Sequence, residues 1–204
     1  MSFSQIFLTL DFLSKIPAIK IRVKLLSACC SISFKVGKNF SEQPSQANFE
    51  NVITDKYLNH IHSQIFIEDE SRTIGRVTLP ESWYKKMQSS ELIILDISNE
   101  ERVNNIIKEY VTEALNDFTD ENKLLKQYLT SLEKIKKRLG SELHNNISGL
   151  MVKAFNEHKN HENWISKLLF MYYDPMYKYK LGMRKKYITH IGDYKSCYEY
   201  LDGS

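Results

Sequence analysis

Short runs of apolar residues are separated along the chain by longer segments in which apolar residues recur every three or four positions. The runs QIFI (64–67) and ELIILDIS (91–98) are continuous and apolar, which is typical of parallel strands covered on both faces. AIKIRVKLL, from residue 18, alternates apolar and basic residues and predicts another strand. The tail, residues 186–201, predicts a last strand followed by a helix.

Apolar stripes at helical spacing cover residues 48–62, 103–115, 124–139, 143–151 and 164–169. Ser98 and Glu101 fit the capping box that begins the second of these helices. Gly140 suits the end of the third, and Pro175 is predicted to end the last. Strands alternating with helices predict an α/β fold with a mostly parallel sheet. A helical lid or insertion is predicted at about residues 115–172.

Three carboxylates and an arginine directly follow the strand QIFI: Glu68, Asp69, Glu70 and Arg72. In open parallel sheets, ligands bind beyond the carboxyl ends of the strands. The acidic cluster is therefore predicted at the functional edge of the sheet. From the pattern alone, a solvated turn after a core strand explains the same residues equally well.

The composition is that of an ordinary soluble globular domain, with 204 residues of which 42% are hydrophobic and 26% charged. The net charge of +3 is too small to indicate a nucleic-acid-binding face, and residues 1–40 alone hold six basic residues against one acidic. No apolar run is long enough to span a membrane. Three cysteines, with Cys29 and Cys30 adjacent, fit neither a disulfide framework nor a zinc site. We expect a cytoplasmic protein without a membrane partner.

Two histidine pairs and one cysteine are weaker candidates for chemistry. HIH (60–62) and HKNH (158–161) lack the second ligand pair that zinc requires, and they predict surface histidines. Cys197 falls on the final amphipathic helix and is predicted to be buried rather than reactive.

Five segments, in a fixed order and spacing, carry a resemblance to a known family. They are QPSQANFEN (43–51), IEDESRTIGRVTLP (67–80), EERVNNIIKEYV (100–111), IKKRLG (135–140) and YYDPMYKYKL (172–181). Together they resemble the C-terminal P-loop domain of tRNA 2-selenouridine synthase. The resemblance implies a P-loop NTPase-like fold for residues 40–201, and it leaves residues 1–39 as an atypical N-terminal segment.

The family resemblance implies a transferase reaction on tRNA. Members convert 2-thiouridine at the wobble position to 2-selenouridine through a geranylated intermediate, using geranyl diphosphate and selenophosphate. They are described as two-part proteins, in which a rhodanese-like domain carries the cysteine used in sulfur-to-selenium exchange. The implied partners of this chain are therefore tRNA and a rhodanese-domain protein.

The same resemblance implies roles for the residues after QIFI, at a Walker-B-like strand end that includes Glu68. Asp69 or Glu70 would hold Mg²⁺, directly or through water, beside the diphosphate of geranyl diphosphate or of a nucleotide. Arg72 and Arg76 would grip phosphate oxygens with planar, two-pronged hydrogen bonds. No catalytic residue is assigned.

Two basic segments are candidates for binding tRNA. The first, at the end of a predicted helix, complements the helix dipole or contacts tRNA phosphates. The second interleaves tyrosines with basic residues, which suits either packing or the stacking of unpaired bases. The candidates are Lys136, Lys137, Arg138, Tyr177, Lys178, Tyr179, Lys180, Arg184 and Lys185.

The chain also departs from the family pattern. It contains no G-x-x-x-x-G-K-[ST] phosphate loop and no rhodanese domain, and residues 1–39 match no family motif. We therefore expect an N-terminally incomplete, truncated or frame-disturbed member that is inactive alone in selenation or dependent on a partner. A non-catalytic tRNA-binding or assembly module is the alternative. A small P-loop kinase is disfavoured by the missing phosphate loop.

Overall fold

The computed structural model describes residues 20–25, 44–58, 64–67, 69, 71–74, 76–117 and 120–202. These residues form a mixed α/β fold that is mostly helical, which confirms the α/β class. The P-loop NTPase-like form of that class stays a prediction. The chain divides into two compact units, each with its own core. In the described residues, the sheet unit comprises 20–25, 44–98 and 180–202, and the helical unit lies within 99–179.

The sheet unit is built on four strands, each paired in parallel with its neighbours, in the spatial order β2-β1-β5-β6. A separate hairpin pairs β3 with β4. The strands are β1 (Lys20–Leu25), β2 (Gln64–Ile67), β3 (Thr73–Ile74), β4 (Val77–Thr78), β5 (Glu91–Leu95) and β6 (Ile188–Gly192). All the strands predicted from the sequence are present, whereas the hairpin was not predicted.

The helices of the sheet unit are α1 (Gln46–Leu58), α2 (Glu81–Gln88) and, at the end of the chain, a helix over Tyr194–Asp202. The side-chain amide of Gln46 holds the hairpin, because it donates to the carbonyl oxygen of Thr78 at 2.7 Å and accepts from the amide of Thr78 at 2.8 Å. Gln46 thus pairs with β4 as a neighbouring strand would. This contact gives the segment QPSQ a structural role.

The strand β5 is buried on both faces, as its continuous apolar sequence predicts. Leu92 and Ile94 pack in a cluster with Ile53, Leu79 and Met87. On the other face, apolar packing joins Ile93, Leu95, Ile97 and Cys197. The thiol of Cys197 is fully buried, which confirms the prediction for that residue.

The helical unit consists of α-helices interrupted by two π-helical turns. Its elements are α3 (Asn99–Ile107), a π-helix (Lys108–Glu113), α4 (Ala114–Asp117), α5 (Glu121–Leu139), α6 (Ser141–Glu157), α7 (His161–Leu168), a second π-helix (Leu169–Tyr173) and α8 (Asp174–Met183), which continues into the sheet unit. The final helix of the chain is α9. Gly140 ends α5 with φ +82°, a conformation that favours glycine, as predicted.

The prediction that Pro175 ends the helical run is wrong, because Pro175 is the second residue of α8. Proline lacks the N–H that a regular α-helix uses, and here it directly follows a π-helix within a continuous helical run. The preceding π-helix, Leu169–Tyr173, is a wider turn that breaks the regular α ladder. Within the part of the chain described, no helix is long and apolar enough to cross a membrane.

Candidate functional site

Asp69 lies two residues beyond the carboxyl end of β2 and is 3% exposed. Its carboxylate forms an ion pair with the guanidinium of Arg184 and accepts a hydrogen bond from Nε2 of Gln88 at 3.2 Å. Lys180 Nζ donates to the main-chain oxygen of Asp69 at 2.8 Å and lies 3.7 Å from its Oδ2. We name Asp69, Gln88, Lys180 and Arg184 the Asp69 cluster.

The end of α2 helps to position this cluster. A helix leaves its last carbonyl groups without partners inside the helix, and their partial negative charge attracts cations. Arg184 Nη2 donates to the carbonyl oxygen of Met87 at 2.9 Å, in the last turn of α2. Gln88 is the final residue of the same helix. Arg184 therefore joins the end of α2 to the carboxylate that follows β2.

The two cations of the Asp69 cluster differ in burial. Lys180 lies on α8, and Arg184 follows the end of that helix at Met183. The Arg184 side chain is 6% exposed, whereas the Lys180 side chain is 27% exposed. Arg184 is thus the inner cation and Lys180 the outer one. The sequence analysis predicted a metal-binding role for Asp69 and a tRNA-binding role for both cations. The structure brings these three side chains together.

The other predicted phosphate and metal residues lie elsewhere or outside the described residues. Glu68 and Glu70 fall in the latter group. Arg72 forms an ion pair with Glu81 at 2.7 Å, and both side chains are about half exposed. Arg76 is also exposed. Their contact with phosphate stays a prediction.

The surroundings of Asp69 do not favour direct coordination of Mg²⁺ by its carboxylate. Mg²⁺ requires oxygen ligands in near-octahedral geometry and keeps several of its waters. Here the Asp69 carboxylate already contacts the guanidinium of Arg184 and the side-chain amide of Gln88. The Lys180 ammonium adds a second positive charge 3.7 Å away. Among the described residues, no group of three or more His, Cys, Asp or Glu could hold a metal ion. A magnesium role for Glu70 stays a prediction.

The basic segment at the end of α5 is exposed at Lys137 and Arg138. Lys136 forms an ion pair with Glu133 at 2.8 Å. All three lie in the last turn of the helix, where positive charge complements the helix dipole. Their contact with tRNA stays a prediction.

The tyrosines of α8 differ in accessibility. Tyr177 is partly buried and stacks on Tyr173 with ring centroids 6.4 Å apart, so it packs within the helical unit. Tyr179 is 74% exposed, and its neighbour Lys178 is also exposed. Lys185, after the helix, is exposed as well. Tyr179 is therefore the predicted tRNA-binding aromatic whose ring is most available for stacking on a base.

The histidine prediction is wrong for His161. Its ring is buried against Phe155, and Nδ1 accepts a hydrogen bond from Nε1 of Trp164 at 3.2 Å. Burial lowers the pKa of His161 below its usual 6.5. His158 is exposed, as predicted, and its Nδ1 lies 3.1 Å from Oε2 of Glu121. The pair at 60 and 62 lies outside the described residues.

The helical unit contains a buried ion pair that was not predicted from the sequence. Arg102 is 1% exposed and grips Asp174 with two contacts, Nη2 to Oδ1 at 2.5 Å and Nη1 to Oδ2 at 3.1 Å. Nη1 also donates to Oδ1 of Asn99 at 3.3 Å. The available signal was an arginine four residues before Ile106, on the apolar face of α3. The pair joins the segments EERVNNIIKEYV and YYDPMYKYKL.

Comparison with known proteins identifies the family of this chain. A family model described as the tRNA 2-selenouridine synthase AAA domain matches residues 33–204. The chain belongs to this family. The tRNA 2-selenouridine synthase of Shewanella oneidensis is 35% identical to it over 182 residues, and that of Shewanella denitrificans is 37% identical over 182 residues.

The alignments with these tRNA 2-selenouridine synthases cover 81% of this chain but only 48% and 50% of the relatives. The chain therefore spans about half the length of the curated relatives that it matches. No solved structure matches it. The resemblance stated from the five segments is confirmed, and the matched range includes the Asp69 cluster and the Arg102–Asp174 pair.

Proposed function

We propose that this chain is the P-loop-like part of an enzyme that converts 2-thiouridine to 2-selenouridine at the wobble position of tRNA, through a geranylated intermediate. Membership of the tRNA 2-selenouridine synthase family supports this function. The substrates are tRNA, geranyl diphosphate and selenophosphate. The sulfur-handling cysteine belongs, in this proposal, to a rhodanese-type region or partner. The reaction takes place in the cytoplasm, where tRNA is found.

The position of the Asp69 cluster is the structural observation that carries the proposal. In the sheet, β1 lies between β2 and β5. In the chain, β2 directly follows β1. Open parallel sheets bind ligands beyond the carboxyl ends of their strands, and Asp69 follows that end of β2. Asp69, Lys180 and Arg184 stand at this edge, where they can orient a diphosphate. Any Mg²⁺ that accompanies the diphosphate is proposed to bind without direct coordination by Asp69.

Complementation tests the proposed function. The chain is expressed in bacteria whose own tRNA 2-selenouridine synthase gene is deleted, with and without a co-expressed rhodanese domain from a relative. We expect 2-selenouridine in tRNA hydrolysates, measured by mass spectrometry, only when both proteins are present. A strain that expresses the rhodanese domain alone is the control. If both proteins are made and folded and no 2-selenouridine or geranylated uridine forms, the enzymatic proposal is wrong.

A second candidate function is a tRNA-binding module without activity of its own. The exposed ring of Tyr179 beside Lys178 favours it, because stacking and phosphate contacts together suit unpaired bases. Titration of the chain with tRNA at two salt concentrations tests this candidate. Binding that weakens with salt and falls in Tyr179→Ala, in a chain that forms no 2-selenouridine, would identify the module.

A further inference from the structure

One face of α5 carries positive charge along most of the helix. Its residues recur every three or four positions, so they lie on one side of the helix. All of them are exposed to solvent. We name them the α5 basic face: Lys123, Lys126, Gln127, Thr130, Lys134, Lys137 and Arg138. A rise of about 1.5 Å per residue makes this face about 22 Å long.

The α5 basic face contains no acidic residue, and the two acids of the helix are engaged elsewhere. Glu133 Oε1 lies 2.8 Å from Nζ of Lys136, and its Oε2 lies 3.0 Å from Nε2 of His144. Glu121 begins the helix, and its Oε2 lies 3.1 Å from Nδ1 of His158. The positive charge of the face is therefore not neutralised by the acids of its own helix.

The stability of α5 does not explain this arrangement of charge. Lys137 and Arg138 lie in the last turn, where cations complement the helix dipole. Lys123 lies in the first turn, where positive charge is unfavourable. Lys134 and Arg138 are four residues apart, and like charges at this spacing repel each other. A continuous positive face that does not stabilise its helix indicates an anionic partner.

The side chains of the α5 basic face favour a nucleic acid over an acidic protein. Protein interfaces are depleted in lysine and enriched in aromatic residues, whereas this face has four lysines and no aromatic residue. Gln127 and Thr130 lie between the lysines, and such polar side chains contact phosphate oxygens and sugars. Bases of single strands stack on aromatic rings, which this face lacks. The face therefore suits the backbone of a double helix.

We propose that the α5 basic face binds the phosphate backbone of double-helical RNA. The proposal rests on the proposed function, because the stems of a tRNA substrate would supply the duplex. Double-stranded RNA is recognised mostly by its shape and by contacts to phosphates and 2′-hydroxyls, since side chains cannot read its deep, narrow major groove. Four lysines and an arginine along one helix can contact several phosphates of one duplex. The helical unit thus holds the body of the RNA without reading its sequence.

Fluorescence anisotropy of the full chain with a labelled RNA duplex of about 16 base pairs tests this surface. The duplex contains no 2-thiouridine and no tRNA sequence. We expect Lys126→Gln and Lys134→Gln each to weaken binding about threefold, and the double variant to weaken it about tenfold. Each single variant should also reduce the salt dependence of the binding constant by about one phosphate contact, measured as the slope of log K against log salt.

The matched control is Lys136→Gln, which removes the same charge from the same helix at a position outside the α5 basic face. It should change duplex binding less than about twofold and leave the salt slope unchanged. Thr130→Lys adds a cation at the centre of the face and should tighten binding, whereas Thr130→Glu should weaken it. Thermal melting verifies that each variant folds, and the gain in Thr130→Lys is a result that unfolding cannot produce.

Two further ligands distinguish between kinds of partner. A single-stranded RNA of the same length should bind more weakly than the duplex, and so should a poly-glutamate peptide. Tighter binding of either ligand than of the duplex would overturn the proposal. An effect of Lys136→Gln as large as that of Lys134→Gln would also overturn it, because binding would then not depend on this face. Since no uridine is modified in these measurements, failure of this surface and failure of the proposed function are separate results.

Discussion

The two units of this protein each bury an arginine–aspartate pair, and the pairs differ in what surrounds them. In the helical unit, Arg102 and Asp174 form a two-pronged contact, with 1% and 9% of their side chains exposed. The Phe170 ring lies 5.8 Å from the Arg102 guanidinium. In the sheet unit, Arg184 and Asp69 are just as buried, but Lys180 adds a second cation that reaches solvent.

The difference lies in the surroundings of the two pairs, because both arginines are buried to a similar degree. Both guanidinium groups leave Nε without a partner among the described residues, so an unsatisfied donor does not by itself mark a ligand site. Around Arg102, a carboxylate, an amide and an aromatic ring complete the surroundings. Beside Arg184, a second cation, Lys180, is partly exposed to solvent. The two pairs therefore differ in the exposure of a neighbouring charge and not in their own burial.

The largest expected effect is the loss of Asp174. Asp174→Ala leaves the Arg102 guanidinium buried without its counter-ion, which should lower the free energy of unfolding by about 3–5 kcal/mol. Urea denaturation followed by circular dichroism measures this change. The matched control, Glu113→Ala, breaks an exposed ion pair with Lys108 and should cost less than about 1 kcal/mol.

A double variant sharpens this test of the Arg102–Asp174 pair. In Arg102→Met with Asp174→Leu, no charge is left buried, so most of the lost stability should return. A double variant as unstable as Asp174→Ala would mean that packing, and not the uncompensated charge, causes the loss. If Asp174→Ala itself costs under about 1 kcal/mol, the pair is not a structural anchor.

Loss of Asp69 should have a smaller effect on stability. Asp69→Ala removes the counter-ion of Arg184, but Arg184 keeps the Met87 carbonyl, and the Lys180 side chain is already partly exposed to solvent. We expect a loss of about 1.5–3 kcal/mol, the range for hydrogen bonds to charged groups, in the same denaturation experiment. Glu81→Ala, which breaks the exposed pair with Arg72, is the control. A loss as large as that of Asp174→Ala would contradict the contrast between the two pairs.

The smallest expected effect is a pH dependence confined to the helical unit. Burial is the main cause that lowers the pKa of His161, while Glu121 and Glu162 oppose the shift. A histidine with a lowered folded-state pKa takes up its proton on unfolding. Its contribution to stability is therefore complete above pH 6.5 and is lost as the pH falls below that value.

Urea midpoints at pH 7.5 and pH 5 measure this dependence on His161. His161→Phe should reduce the loss of stability at pH 5, because no proton is then taken up at this position. His158→Gln, which removes an exposed histidine, should leave the loss nearly unchanged. Equal pH dependence in the wild type and His161→Phe would show that other groups dominate.

Local sequence patterns predicted most helices and strands of this fold, because these elements follow from the periodicity of apolar residues. The apolar run of β5, the stripe of α5 and the stop at Gly140 all follow from sequence neighbours within one or two turns. The hairpin of β3 and β4 has strands of only two residues, too short to show alternation. The prediction that Pro175 ends a helix failed because a π-helical turn, which has no clear sequence signature, precedes this proline.

The candidate site was predictable only in part, because its contacts join distant residues. The strand end at Ile67 indicated that acids would lie at the edge of the sheet, and Asp69 does. Its cationic partners Lys180 and Arg184 come from more than a hundred residues along the chain. Helical spacing cannot reveal such a pairing. The sequence analysis predicted these side chains for two separate functions, whereas the structure places them in one cluster.

The π-helix Leu169–Tyr173 determines the rotational phase at which α8 begins. Each residue of an α-helix turns the chain by about 100°, so one residue more or less in this turn would rotate Asp174 to a different side of the helix. Arg102 would then face another side chain. Insertions and deletions in this stretch should therefore be far less tolerated than substitutions at its exposed Met171.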